Sequence, residues 1–168
     1  MRRSTEVRDA LLRFYEAFSA ANLERFAQII AQKENEGVLV IGTDPGDWLE
    51  GREQWIAARE ALMAGMWEGL RLEAGEQPHG YEEGSMGWVA DRPNIVMADG
   101  TAISARLTGV VRQEGGEWRF VHDHLSVGVP DRNRSVLHRG SRQALTPHVA
   151  RPECLAWVFW ELRPLVSC

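Results

Sequence analysis

The stretch Gly115-Gly-Glu-Trp-Arg-Phe-Val-His-Asp-His-Leu-Ser-Val-Gly128 constrains the fold more than any other, because a glycine pair suited to a hairpin turn leads into one long strand. Side chains alternate across a strand, so strict alternation predicts Val121, Asp123, Leu125 and Val127 on one face and Trp118, Phe120, His122 and His124 on the other. One acid therefore sits among aliphatic neighbours. With that face turned inward, Asp123 is a carboxyl group in apolar surroundings, where loss of solvation raises its pKa and makes it a candidate proton acceptor or donor.

The rest of the chain supports a single soluble domain. It has 168 residues, 44% hydrophobic and 26% charged, with seven tryptophans to supply a thick aromatic core, a pocket lining or an interface. The net charge of −5 is uneven. Six arginines against three acids make residues 131–168 locally +3, which leaves residues 1–130 at −8 and argues against a nucleic-acid surface. Both cysteines, Cys154 and Cys168, fall in that tail, so the body carries neither a disulfide framework nor a thiol nucleophile. No apolar run is long enough to span a bilayer and no leader is evident, so the expected compartment is the cytoplasm. No phosphate-cradling glycine loop, Ser-His-Asp order or Cys-His pair stands out, and no cofactor is expected.

Two helices come first. Val7, Leu11, Phe14, Tyr15 and Phe18 form one stripe over residues 5–20 with Ser4 as cap, and Asn22 caps a second helix carrying Leu23, Phe26, Ala27 and Ile30. Val38-Leu-Val-Ile41 reads as a buried strand, followed by the turn Gly42-Thr-Asp-Pro-Gly-Asp47, where Asp44 is best explained as a side-chain cap. A third helix over about residues 52–65 places Trp55, Ala58, Leu62 and Met66 on one side, with Arg59 one turn after Trp55. The remainder is β: an interrupted strand from Trp67 to Glu83, then Met86 to Ala90, Ile95 to Met97, Thr101 to Gln113, and the closing strand. The expectation is α+β, a curved antiparallel sheet wrapped around three N-terminal helices with a cone-shaped pocket. Residues 1–130 make the domain and residues 131–168 a weakly organised tail.

Ile41-Gly-Thr-Asp-Pro-Gly-Asp-Trp-Leu-Glu-Gly51, Gly87-Trp-Val-Ala-Asp-Arg-Pro93 and Gly116-Glu-Trp-Arg-Phe-Val-His-Asp-His-Leu-Ser126 together resemble SnoaL-like proteins of the nuclear transport factor 2-like superfamily, which adopt a cystatin-like roll. The resemblance spans residues 5–130 or so and implies a fold shared by isomerases, dehydratases, cyclases and non-catalytic assembly domains. The last strand is also similar to that of the calcium/calmodulin-dependent kinase association domain. That likeness implies a pocket side made of Leu107, Gly109, Val111, Val121, Asp123 and Leu125, with Phe26 and Trp55 as helix-borne lining. The relative has arginines at the positions of Gly109 and Leu125, so its anion site does not carry over.

Asp123 is the leading candidate for general acid/base work, in the manner of superfamily enzymes resembling ketosteroid isomerase, which use a pocket carboxylate to move a proton beside a carbonyl. Tyr15 either supplies a hydroxyl to such a site or fills core. Arg59 either pairs with Asp123 or, as arginines more often do, lies on a solvated face. Trp48 and Trp88 line the pocket or the core. His122 and His124 have the spacing of a metal pair, yet their face makes an interface between copies the better reading and no metal is expected. The expected function is proton transfer, cyclisation or dehydration of an apolar carbonyl-bearing substrate; the alternative is a non-catalytic ligand-binding or subunit-assembly module. The expected partners are a small apolar molecule and a second copy joined through the sheet, with no nucleic acid and no membrane.

Overall fold

The computed structural model describes residues 1–33, 37–64 and 69–128, so the expected tail lies outside the described residues. Its elements run β1 (Arg2–Arg3), α1 (Thr5–Ser19), α2 (Leu23–Ile29), β2 (Leu39–Ile41), β3 (Trp48–Glu50), α3 (Arg52–Ala64), β4 (Arg71–Glu73), β5 (His79–Glu83), β6 (Met86–Asp91), β7 (Asn94–Val96), β8 (Ala102–Glu114) and β9 (Glu117–Val127). Three helices and a curved, unclosed sheet make the α+β fold that the pattern of residues predicts. No helix among the described residues is long and apolar enough to cross a membrane.

Local chemistry sets the helix ends. Ser4 Oγ accepts the Val7 N–H at 3.3 Å and Asn22 Oδ1 accepts the Arg25 N–H at 2.8 Å, each satisfying a donor that the first helical turn leaves open. The apolar stripe of α1 (Val7, Ala10, Leu11, Phe14, Tyr15, Ala17) is buried against β4, β5, β6 and β9. At Asp44 the expected turn cap is present, its Oδ1 accepting the Gly46 N–H at 2.9 Å.

The sheet runs β1-β5-β6-β8-β9-β2-β3, with β7 on β8 and β4 on β7. It departs from expectation in three places. First, it is mixed rather than antiparallel: β2 lies parallel to β9, with Leu39 opposite His122, Val40 opposite Asp123 and Ile41 opposite His124. Second, the region expected as one interrupted strand before Glu83 is two strands with different partners, β4 on β7 and β5 on β6. The break falls where Gly75 gives its N–H to the Asp91 carboxylate instead of a ladder. Third, β9 carries an irregularity: Val110 pairs with His122 but Val111 pairs with Phe120, so Val121 is an extra residue. That insertion brings Trp118 (6% exposed) and Phe120 (0%) onto the buried side with Asp123, while His122 and His124 stay on the other.

Helix α1 docks on β5 at a glycine. The Ser4 N–H donates to the Gly80 carbonyl at 3.0 Å, and a Cβ on Gly80 would stand 2.3 Å from the Arg8 backbone nitrogen and 2.8 Å from the Ser4 carbonyl oxygen. Backbone cannot step aside as a side-chain tip can. Gly80→Ala is therefore expected to lower unfolding free energy by about 1–3 kcal/mol in urea melts, against a small effect of Gly46→Ala, whose new Cβ meets only Asp44 Oδ1 at 3.4 Å. Equal losses for the two variants would refute this account of the docking.

Candidate functional site

Asp123 sits mid-strand on β9 between two residues that offer its carboxyl nothing to bond, Val40 on β2 and Gly109 on β8. It is 5% exposed, and its Oδ1 is buried with no hydrogen-bond partner. Burial pushes its pKa from 3.8 up to about 7. A carboxyl group poised there divides between acid and base forms near neutral pH, which is the condition for moving a proton in either direction.

The second polar centre lies two strands away on the same face of the sheet. Val89 of β6 is opposite Gly109, which is opposite Asp123, so Asp91, two residues after Val89, shares their inward parity. Asp91 is 8% exposed and accepts through Oδ2 from the Tyr15 hydroxyl at 3.1 Å and from the Gly75 N–H at 3.0 Å. Tyr15, on α1 and 4% exposed, is raised far above the usual phenol range by burial first, then by the Asp91 charge and hydrogen bond, and last by the charge of Asp123. Its hydroxyl thus stays protonated and is committed to Asp91. Asp91 went unrecognised in the sequence because Asp91-Arg-Pro-Asn94 reads as a loop; the signal that could have found it is its two-residue step from Val89 on a strand whose other inward residue is Gly87.

Arg59 on α3 is buried, 4% exposed, against the expectation of a solvated face. It is not beside Asp123: its Nη2 donates to the Phe18 carbonyl and its guanidinium lies 4.1 Å over the Phe18 ring. Burial lowers its pKa from the ordinary arginine value.

The aromatic residues expected as lining pack against one another. Phe14 lies 4.9 Å from Phe120, 5.9 Å from Phe26 and 6.2 Å from Trp55 between ring centres, and Phe26 meets Trp55 edge-on at 5.9 Å. Leu107 is fully buried, Leu125 and Val121 are half-buried against this core, and the space over Gly109 is taken by the Phe120 ring, whose Cε1 would lie 2.8 Å from a Cβ there. Two tryptophans stand apart. Trp48 is 56% exposed with its indole N–H on Glu50 at 2.9 Å, and Trp88 is on the outer face, stacked 4.5 Å from Tyr81. His122 also faces outward, its Nδ1–H donating to the Leu39 carbonyl at 3.0 Å. No group of three or more His, Cys, Asp and Glu able to hold a metal ion occurs among the described residues.

No curated protein matches this chain in sequence. In three dimensions it is similar to a proposed dehydratase of the nuclear transport factor 2-like family from Streptomyces avermitilis (TM-score 0.62, 21% identity, covering 74% of this chain and 95% of that one). It is similar as well to a protein of unknown function with a cystatin-like fold from Nostoc punctiforme (TM-score 0.62, 15% identity, 77% and 97% covered). A proposed scytalone dehydratase from Novosphingobium aromaticivorans is a third such structure (TM-score 0.61, 12% identity, 74% and 83% covered). Residues 7–130 match the SnoaL-like domain, and the chain belongs to that family.

Proposed function

We propose that this SnoaL-like protein is an enzyme that moves a proton on an apolar, carbonyl-bearing small molecule, with Asp123 as its general acid/base. The observation that carries the reading is the Asp123 carboxyl, buried between Val40 and Gly109 with one oxygen unpartnered. Natural cores seldom leave a buried carboxyl oxygen unbonded, and when they do, a role in chemistry is the usual compensation. In its ionised form Asp123 takes a proton from the carbon beside the carbonyl; the electron pair of that C–H bond forms a carbon–carbon double bond and the carbonyl π pair moves to oxygen, giving an enolate. In its protonated form it returns the proton to another carbon of the enolate, completing an isomerisation; to the oxygen of a second carbonyl that the enolate carbon has attacked, completing a cyclisation; or to a hydroxyl on the adjacent carbon that leaves as water while the enolate pair forms the double bond, completing a dehydration. The Tyr15 O–H, bonded to Asp91 at 3.1 Å, is the donor on this face that a carbonyl beside Asp123 would draw from that carboxylate. Two of the structural relatives bear the name of dehydratases, which favours that branch of the chemistry.

The carboxyl-carbon resonance of Asp123, assigned by its disappearance in Asp123→Asn, is expected to titrate near pH 7. A midpoint at the ordinary carboxylate value of about 3.9 would remove the basis for the proposal.

A further inference from the structure

We propose that Arg59 is a carboxylate-binding residue: the guanidinium buried at the C-terminal end of α1, stacked on Phe18 and, among the described residues, bonded only to the Phe18 carbonyl, receives the carboxylate of an apolar organic acid. This goes beyond the proton chemistry assigned to Asp123 and does not depend on it.

The argument starts from an unpaired charge. Arg59 is 4% exposed, and among the described residues its buried Nε–H has no acceptor and it forms no ion pair. An arginine so buried ordinarily meets a carboxylate, because desolvating the cation is otherwise uncompensated. The partial negative charge at the end of α1, where Phe18 lies one residue before Ser19, accounts for the contact of Nη2. It does not account for Nε. The edge formed by Nε–H and an N–H of Nη2, which gives one of its two protons to Phe18, is the one that matches the two oxygens of a carboxylate, with the planar, two-point geometry that arginine favours and lysine lacks.

The surroundings select the rest of the ligand. One face of the guanidinium is covered by Phe18, so an acid approaches along the plane rather than onto it. Phe18 and Ile56 are only half-buried, which leaves the charge one layer beneath the surface. The ring against the guanidinium is that of Phe18 and Ile56 lies one turn before Arg59 on α3, so whatever hangs from the carboxylate is bordered by apolar side chains. An apolar, preferably aromatic, monocarboxylate fits this wall, whereas a polyanion does not.

Benzoate is the probe, with benzyl alcohol as its uncharged counterpart, added to the full chain and followed by amide and arginine Nε–H NMR shifts. Saturable benzoate binding that moves the Arg59 Nε–H resonance, at least tenfold tighter than benzyl alcohol and at least tenfold weaker in Arg59→Gln, is the expected result. Arg59→Lys, which keeps the charge but not the fork, should recover only part of the affinity. Benzoate and benzyl alcohol binding alike, no benzoate binding, or benzoate binding indifferent to Arg59→Gln would each overturn the proposal and leave Arg59 as a structural cap of α1. Should Arg59→Gln fail to fold, the wild-type Nε–H shift with benzoate against benzyl alcohol decides the matter. Asp123→Asn should leave benzoate binding intact, so this inference and the general acid/base reading fail separately.

Discussion

Asp123→Asn is expected to stabilise the protein at pH 8 by up to about 4 kcal/mol relative to wild type, and to make little difference at pH 4. The sign follows from where the carboxyl ionises. In the unfolded chain it does so around 3.8, whereas in the fold burial holds it neutral until about 7. A raised folded pKa means that the full stability is present below pH 3.8 and is lost as pH climbs through about 7, after which the loss levels off. Asparagine is never charged, so it keeps the cost of a buried polar group but escapes the cost of a buried anion. Against a total stability of about 5–15 kcal/mol for an ordinary domain, this is a large share to give up at neutral pH. Urea melts of both proteins across pH 4–9 provide the measurement, the difference between them cancelling the histidines and surface acids. A difference that does not change with pH, or an asparagine variant that is the weaker one at pH 8, would show that Asp123 is not a desolvated carboxyl.

What could be read from the residues was whatever is settled within a few positions of the chain. Ser4 and Asn22 announce their helices because the bonds they make reach only three residues onward. The parallel pairing of β2 with β9 was invisible, since Leu39 and His122 are far apart in sequence and nothing local states which strand will lie beside which. The bulge at Val121 is more instructive. Taken as one uninterrupted strand, Trp118 and Phe120 fall out of phase with Val121, Leu125 and Val127, yet both sets are apolar, and a strand with apolar residues on alternating parities is one whose phase has slipped. Asp123 was legible because it keeps company with the second set; its neighbour Phe120 was placed on the wrong face because that slip went unread. Asp91 was missed, and Arg59 was expected beside Asp123 or in solvent but lies buried on Phe18, for a different reason. Composition assigns arginine to solvent and an Asp-Arg-Pro-Asn sequence to a loop, and in both places the tertiary context of α1, through the Phe18 carbonyl and the Tyr15 hydroxyl, prevails over the local tendency.

Phe120→Ala is expected to cost about 3–5 kcal/mol of unfolding free energy, and the bulge is the reason it should fall at the heavy end for a single truncation. The extra residue Val121 turns the Phe120 ring, fully buried, into the space between Phe14 and Trp55 and over Gly109. Gly109 has no side chain, so the ring is what fills the floor of the sheet beside Asp123, and Ala at position 120 opens a void that β8 cannot close from below. The packing claim has its own test in Gly109→Ala. In the wild type a Cβ there would meet the Phe120 ring at 2.8 Å, the His122 carbonyl oxygen at 3.0 Å and Val89 Cγ2 at 3.1 Å, so the substitution should destabilise. With Phe120 already alanine the tightest of the three contacts is gone, and Gly109→Ala should cost less by about 0.5–3 kcal/mol, a coupling read from the double-mutant cycle. Additive losses would mean that the ring does not lie over Gly109. The bulge would then not bring Phe120 onto the face of Asp123, and the apolar surroundings that hold that carboxyl neutral would need another source.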